Sequence, residues 1–247
     1  MSLCAGPIFV SSKHTQMKTN LNIVLVHGAF GDGSHWRKVI PVLAAKGYNV
    51  RAVQLPLITL AEDIQRTSDM VNTLEGSVLL VGHSYGGMVI SGAGNNDKVK
   101  GLVYVAAFAP DENEAAGGLL QLRPAPEGVT AIAPGASGLL YVNYDKYHEY
   151  FCQGVPDDDA LVMAASQKPI SGEAFGSPSG TPAWKTKPSW YQVSKNDKMI
   201  QPETEAWFAE RIKAVKTLVL DAGHASMASH SAEVAALILE AAEAVGE

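Results

Sequence analysis

Residues 77–87 read Ser-Val-Leu-Leu-Val-Gly-His-Ser-Tyr-Gly-Gly, and they carry the strongest structural signal in the chain. The apolar run 77–82 is typical of a strand buried on both faces, and a helical pattern follows it. A Gly-x-Ser-x-Gly sequence at such a junction predicts a sharp turn with Ser84 at its apex. A side chain at Gly82 or Gly86 would collide with the neighbouring strand or helix in so tight a turn. We therefore interpret Ser84 as a nucleophile; the alternative is a serine at an ordinary helix N-cap.

The composition indicates one ordinary globular domain with a core of its own. The chain has 247 residues, of which 47% are hydrophobic and 18% charged, and its net charge is −6. Its 19 lysines and arginines form no run, so we expect no nucleic-acid partner. The two cysteines, Cys4 and Cys152, suit neither a structural disulfide nor zinc, and we expect no metal.

The first 20 residues are poorly patterned, and we interpret them as an irregular N-terminal extension. They lack a basic start before an apolar core, so they are not a signal peptide as written, although they could be the remnant of a trimmed secretory leader. No apolar stretch reaches the roughly 18 residues that a membrane helix needs. We expect a cytoplasmic monomer or homodimer with no membrane partner.

Strands and helices alternate along most of the chain. The patterns predict strands at 22–27, 48–55, 77–82, 99–107, 188–194 and 216–220, and helices at 35–46, 60–74, 84–95, 203–214 and 232–244. Repeated strand–helix units with buried strands predict an α/β fold, with a mostly parallel sheet and helices on both faces.

The pattern breaks over about residues 111–183, which are rich in Gly, Ala and Pro and contain short helical pieces at best. We call this segment the insertion. Because it lies between two strands, we expect a cap over the sheet edge within a single domain spanning residues 21–247. A solvated linker is the alternative, but the aromatic residues are too many for one; they are Tyr141, Tyr144, Tyr147, Tyr150 and Phe151.

A serine hydroxyl needs a base to remove its proton, and histidine has a suitable pKa. Of seven histidines, His224 follows the predicted strand 216–220 and precedes the last helix. Loops at the carboxyl ends of parallel strands share one sheet edge, so His224 and Ser84 should converge. His230 is the rival base.

The base needs an acceptor for its second N–H. Asp197 follows the predicted strand 188–194 and lies at the same edge, and the order Ser84, Asp197, His224 suits this architecture. Asp111, which follows the predicted strand 99–107, is the rival, although it could be a simple turn residue beside Pro110.

The developing oxyanion needs N–H donors that are already in place. We assign the backbone N–H of Tyr85, directly after the nucleophile, and that of Ala29 in the glycine-rich loop 28–33. Gly28 allows that loop to turn toward Ser84. A phosphate loop is the weaker interpretation, because the glycine spacing is not Gly-x-Gly-x-x-Gly and no Gly-Lys-Ser/Thr follows.

Over nearly the whole chain, these residues resemble the α/β-hydrolase superfamily. The resemblance lies in Val-His-Gly-Ala-Phe at 26–30, Gly-His-Ser-Tyr-Gly-Gly at 82–87, the Asp197 loop and Gly223-His224. With Trp36, the chain also looks like the small esterase and hydroxynitrile-lyase branch, which includes plant methylesterases and bacterial pyrethroid-type esterases. The resemblance implies an eight-strand plan trimmed at its N-terminus, a cap after the fourth strand seen here, and carboxylic-ester hydrolysis.

Lyases of that branch usually carry threonine where Gly28 stands and lysine where Ala225 stands, so the chain looks more like the hydrolases. We expect a serine hydrolase that cleaves small or medium esters or lactones through an acyl-enzyme without a cofactor. The alternatives are perhydrolase or haloperoxidase-like, C–C hydrolase or cofactor-free lyase chemistry on the same fold, or a non-catalytic ligand-binding protein.

The substrate pocket is the least determined part of the site. Its candidate residues are Gly28, Phe30, Tyr144, Trp184 and Met227. For the aromatic residues of the insertion and Trp184, the alternative is packing within the cap, and for Met227 it is packing in the core.

Overall fold

The computed structural model describes residues 20–246. Eight strands lie within this range: β1 (Leu21–Val26), β2 (Asn49–Ala52), β3 (Ser77–His83), β4 (Val99–Val105), β5 (Ile132–Pro134), β6 (Leu140–Val142), β7 (Ser189–Ser194) and β8 (Thr217–Leu220). Most of the predicted N-terminal extension lies outside the described residues.

Ten α-helices accompany the strands in this part of the chain. They are α1 (Ile40–Ala45), α2 (Leu60–Thr73), α3 (Gly86–Ala93), α4 (Ala116–Leu119), α5 (Tyr147–Tyr150), α6 (Asp157–Ala165), α7 (Gly172–Gly176), α8 (Pro202–Arg211), α9 (Ser226–Ser229) and α10 (Ser231–Val245). Short 3₁₀ turns supplement them, among them Gly33–Trp36 ahead of α1.

Six strands form one sheet in the order β2-β1-β3-β4-β7-β8, and every pairing between neighbours is parallel. All six residues of β1 are buried, and β3 is buried from its second residue onward, as expected for strands covered on both faces. Helices α3 and α10 both contact β4; α2 packs beside α3, and α1 packs beside α10. The predicted α/β fold with a mostly parallel sheet is confirmed.

Some predicted bounds were too long. The predicted strand 48–55 pairs with β1 only over Asn49–Ala52. Beyond it, the Val53 N–H still donates to the Leu25 carbonyl at 2.9 Å, and Val53 and Leu55 stay buried. The predicted helix 35–46 is divided into the 3₁₀ turn and α1.

The insertion contains the short helices α4 to α7 and a feature that the sequence analysis did not predict. This feature is an antiparallel pair, β5 with β6, and Leu140 also bridges to Ile170. The insertion reaches the carboxyl edge of the large sheet, where the buried Tyr147 hydroxyl donates to the Phe30 carbonyl at 2.7 Å.

Candidate active site

The turn between β3 and α3 has the geometry expected of an elbow. Ser84 holds a φ of +53°, in the left-handed region that non-glycine residues rarely adopt. A Cβ on Gly82 would lie 2.6 Å from the Gly86 carbonyl oxygen, and a Cβ on Gly86 would lie 2.7 Å from the Val26 carbonyl oxygen. Any larger residue at either position would clash with backbone atoms, which cannot move aside as a flexible side chain can, so both positions require glycine.

Backbone hydrogen bonds fix the elbow to the next strand. The Ser84 N–H donates to the Val105 carbonyl at 3.2 Å, and the Phe108 N–H donates to the Ser84 carbonyl at 3.1 Å. Val105 is the last residue of β4, so the serine backbone is held at the carboxyl edge of the sheet.

Ser84, His224 and Asp197 form one hydrogen-bonded chain. His224 Nε2 lies 2.9 Å from Ser84 Oγ, and His224 Nδ1 lies 2.6 Å from Asp197 Oδ2. All three residues are buried, with Ser84 and Asp197 each 6% exposed. In this arrangement Nδ1 carries the hydrogen that Asp197 accepts, which leaves Nε2 free to accept the serine proton.

The loop after β7 holds Asp197 in place. Its second oxygen, Oδ1, accepts the backbone N–H of Met199 at 2.6 Å and that of Ile200 at 2.9 Å. With three N–H donors around it, the carboxylate is stabilised in its ionised form and cannot rotate freely.

The two rival residues lie elsewhere. Asp111 has a side chain that is 41% exposed and forms an ion pair with Lys185 at 2.5 Å. His230 is partly buried, and its Nδ1 lies 3.0 Å from the Ser229 hydroxyl. Neither makes a hydrogen bond within the Ser84–His224–Asp197 chain.

The two predicted oxyanion donors flank Ser84. Within residues 20–246, no protein acceptor takes the backbone N–H of Ala29 or of Tyr85. A Cβ on Gly28 would lie 2.6 Å from Ser84 Cβ, so only glycine lets the loop approach this closely. The Tyr85 hydroxyl donates to Asp63 at 2.8 Å, which anchors the start of α3 to α2.

Three further buried histidines surround the site and stay neutral. Burial lowers the pKa of His27 to about 4 and that of His35 to about 3, and it holds the pKa of His83 well below its ordinary value. His83 Nε2 lies 2.9 Å from the His224 carbonyl oxygen, and the ring centroids of His83 and His224 are 4.6 Å apart. As neutral rings they add no positive charge that would oppose protonation of His224.

A narrow cavity of about 20 Å³ opens at Ser84. Of the predicted pocket residues, Phe30 lines this cavity, and Gly28 lies directly against Ser84.

The lining of this cavity does not include Tyr144, Trp184 or Met227. Tyr144 is 51% exposed, and Met227 is completely buried in the core. The Trp184 indole N–H donates to the Pro110 carbonyl at 2.7 Å, at the base of the insertion.

Further side chains surround Ser84. Phe151, one of the aromatic residues of the insertion that the sequence offered as a pocket wall, packs edge-on against His224, with ring centroids 5.1 Å apart. The remaining lining residues not predicted are Phe108, Leu120, Ile132, Phe175, Met199 and Ile200. Only Met199 and Ile200 had a usable signal, because they follow Asp197 directly in the chain.

Gln153 is a further residue that the sequence analysis missed. Its amide donates to the Asn196 carbonyl at 2.6 Å, and its side chain fills the space beside Gly223. One residue of the insertion therefore supports both the Asp197 loop and the His224 loop.

A second cavity, of about 300 Å³, adjoins the first. It lies within the insertion and is lined mainly by apolar side chains, including Leu120, Val129, Ile132, Leu140 and Phe175. Leu120, Ile132 and Phe175 line both cavities, so these three side chains form the boundary between them.

No helix within residues 20–246 combines the length and apolarity needed to span a bilayer. In the same range, no group of three His, Cys, Asp or Glu side chains converges in a way that could hold a metal ion.

Comparison with known proteins identifies relatives along almost the whole chain. A family model described as the alpha/beta hydrolase family matches residues 23–237. A pyrethroid hydrolase from Sphingobium wenxiniae is 33% identical over 102 residues, which is 36% of this chain and 36% of that protein. The salicylic acid-binding protein 2 of Nicotiana tabacum is 26% identical over 92% of this chain and 98% of its own length. The crystal structure of a pyrethroid hydrolase from Sphingobium faniae is similar with a TM-score of 0.78, at 23% identity over 91% of this chain and 98% of that one.

Proposed function

This chain belongs to the alpha/beta hydrolase family, and from that premise we propose that it is a serine hydrolase that cleaves carboxylic esters or lactones through an acyl-enzyme. The observation that carries the proposal is the buried chain from Ser84 Oγ through His224 to Asp197. Similarity to a pyrethroid hydrolase and to a carbendazim hydrolysing esterase supports ester hydrolysis.

In the first half-reaction, Ser84 Oγ attacks the ester carbonyl carbon while His224 Nε2 takes the hydroxyl proton. The resulting oxyanion accepts hydrogen bonds from the backbone N–H groups of Ala29 and Tyr85. Each of these bonds stabilises the transition state by about 3–4 kcal/mol. Asp197 stabilises the imidazolium through Nδ1–H. His224 then returns its proton to the departing alcohol oxygen as the carbon–oxygen bond breaks, which leaves the acyl group on Ser84.

In the second half-reaction, His224 takes a proton from water, and the hydroxide adds to the acyl carbon. Collapse of the second oxyanion releases the carboxylic acid, and the proton returns to Ser84 Oγ. His224 accepts and returns the proton at every step of this scheme.

The replacement Ser84→Ala tests the reaction class. We expect hydrolysis of p-nitrophenyl acetate to fall by at least three orders of magnitude, because within residues 20–246 Ser84 supplies the only hydroxyl that is hydrogen-bonded to His224 Nε2. A serine-directed phosphonate should add its mass to the native chain and not to Ser84→Ala, as intact-protein mass spectrometry would show. Retention of most of the activity in Ser84→Ala would overturn the proposal.

The two cavities suggest which esters are preferred. About 20 Å³ at Ser84 leaves room for a small group on one side of the carbonyl, whereas the 300 Å³ apolar cavity can take a bulky apolar group on the other. We therefore propose uncharged esters with one small and one larger apolar side.

A substitution in the wall of the larger cavity tests this preference. Leu140→Gln places an amide where an apolar group should bind, so kcat/KM for long apolar esters should fall about tenfold while acetate esters change less than twofold. Leu139→Gln is the matched control, because the neighbouring side chain does not line the cavity. Equal losses for short and long esters would contradict the assignment of this cavity.

A further inference from the structure

Glu205 is a buried acidic residue near the proposed catalytic acid, and no cation within residues 20–246 forms an ion pair with it. It lies on α8, which packs on β7, and it is completely inaccessible to solvent. Its Oε2 accepts the Ser194 N–H at 2.8 Å, whereas its Oε1 receives no donor from residues 20–246. An ionised carboxylate with a buried oxygen that receives no donor would be strongly unfavourable, which favours the protonated form of this carboxyl group.

Glu205 and Asp197 are linked through Ser194, which donates its N–H to Glu205 Oε2 at 2.8 Å and accepts the Asp197 N–H at 3.3 Å. The negative charge of the Asp197 carboxylate lies close enough to raise the pKa of Glu205. A hydrogen bond between two carboxyl groups requires one of them to carry a proton. Asp197 already accepts three N–H groups, from Met199, Ile200 and His224, and each of them favours its ionised form. Glu205 accepts only one, so the shared proton belongs on Glu205.

We propose that Glu205 is a protonated positioning residue, which donates a hydrogen bond through Oε1 to the Asp197 carboxylate and extends the Ser84–His224–Asp197 chain by a fourth member. Its functional part rests on the proposed serine mechanism. Burial and the nearby charge of Asp197 both hold the pKa of Glu205 well above its ordinary value.

The described residues around Glu205 offer no other group that could compensate a negative charge on it. Tyr191 on β7 is the other titratable group close to it, and the hydroxyl of Tyr191 donates to the Ala107 carbonyl. Arg211, on the same helix as Glu205, is ion-paired with Glu114. Among the described residues, neither lysine nor arginine forms an ion pair with Glu205.

A neutral donor suits this position better than a second carboxylate. It fixes the orientation of Asp197 without adding negative charge next to the proposed base. An ionised Glu205 would place a second negative charge beside the proposed base and favour the imidazolium over the neutral ring that must accept the Ser84 proton.

Two substitutions at Glu205 separate positioning from packing. Glu205→Leu removes the donor, and we expect kcat to fall about 10- to 100-fold while KM stays within about twofold. Losses of this size follow when a hydrogen-bond partner that orients a metal-binding side chain is removed. The acidic limb of the pH profile of kcat/KM should move to higher pH, because Asp197 loses a donor that stabilises its charge. Glu205→Gln should recover kcat to within about fivefold of the native value, because an amide can donate to Asp197 and accept from Ser194.

Glu210→Leu is the matched control, since Glu210 is exposed on the same helix. It should leave kcat and the pH profile within error of the native protein. If Glu205 were ionised, Glu205→Gln would remove a negative charge and shift the acidic limb to lower pH by about one unit or more. That shift, or a Gln variant as impaired as the Leu variant, would overturn the proposal.

Infrared spectroscopy tests the proton without relying on activity. At neutral pH the native protein should show the carbonyl stretch of a protonated carboxylic acid, and this band should be missing from Glu205→Gln. Absence of the band from the native protein would overturn the assignment. A chain that shows the band but hydrolyses no ester would overturn the proposed function and leave the proton on Glu205.

Discussion

At the scale of single residues, the site depends on backbone positions that tolerate no other side chain. Gly28 and Gly86 each lie so close to other parts of the chain that an added Cβ would come within 3 Å of another atom. Ser84 itself adopts a positive φ because the turn around it is fixed by hydrogen bonds to Val105 and Phe108. Strain at this serine is therefore maintained by the sheet, and it keeps the hydroxyl directed at His224.

The proposed role of Asp197 leads to a prediction at this scale. Asp197→Asn should lower kcat by about three to four orders of magnitude, because the amide favours the wrong tautomer of His224. Asp111→Asn is the control; it removes an exposed ion pair with Lys185 and should change kcat less than twofold. Steady-state hydrolysis of p-nitrophenyl acetate measures both. A larger loss in Asp111→Asn than in Asp197→Asn would show that the acid is misassigned.

At the scale of elements, the sheet could be predicted because its strands are short runs of apolar residues. β1 and β3 are buried on both faces, and this pattern is visible without knowledge of their neighbours. The β5–β6 pair was missed because each strand has only three residues, too few to show an alternating pattern.

The same reasoning explains which site residues could be predicted. Ser84, Asp197 and His224 each follow a strand, so the sequence brings them to one edge. Phe175 reaches that edge only through the folding of the insertion, and Glu205 looks like a surface residue until α8 packs on β7. Local pattern contains no information about such long-range packing.

An ion pair between α8 and the insertion leads to a prediction at the scale of elements. The guanidinium of Arg211 on α8 donates to both carboxylate oxygens of Glu114 at the start of the insertion. It also lies 3.9 Å from the centre of the Trp207 ring. Glu114→Gln should reduce the free energy of unfolding by about 1–2 kcal/mol, because charge-assisted hydrogen bonds in a partly buried site are lost.

Urea unfolding measures this change. Glu127→Gln is the control, because its partner Lys198 lies 3.3 Å away and the Glu127 side chain is 70% exposed; the expected change is below about 0.5 kcal/mol. Equal urea midpoints of unfolding for the native protein and Glu114→Gln would show that the ion pair between Arg211 and Glu114 does not stabilise the fold.

At the scale of the whole molecule, the buried neutral histidines make folding sensitive to acid. The pKa of His27 is lowered to about 4 and that of His35 to about 3, whereas both bind protons near pH 6.5 when unfolded. The unfolded chain therefore binds more protons below pH 6.5, and stability is lost as the pH falls from 6.5 toward 4. Each such histidine contributes a slope of about 1.4 kcal/mol per pH unit in that window.

His35→Phe isolates one of these contributions. The aromatic ring keeps the packing against Phe151, with which His35 lies ring to ring at 5.9 Å, but it cannot be protonated. Between pH 6 and 4.5, the slope of unfolding free energy against pH should be smaller than in the native protein by about 1.4 kcal/mol per unit. Parallel curves for the two proteins would mean that His35 titrates normally when folded.

The larger cavity is lined entirely by residues of the insertion, whereas Ser84, Asp197 and His224 follow strands of the sheet. The proposed reaction and the proposed selectivity are therefore encoded in different parts of the gene. A recombination event that exchanges one uninterrupted segment, from the end of β4 to the start of β7, would replace the whole lining of this cavity and leave Ser84, Asp197 and His224 in place. Because Gln153 in that segment contacts both the Asp197 loop and the His224 loop, an exchanged segment would have to keep this contact to preserve the proposed chemistry.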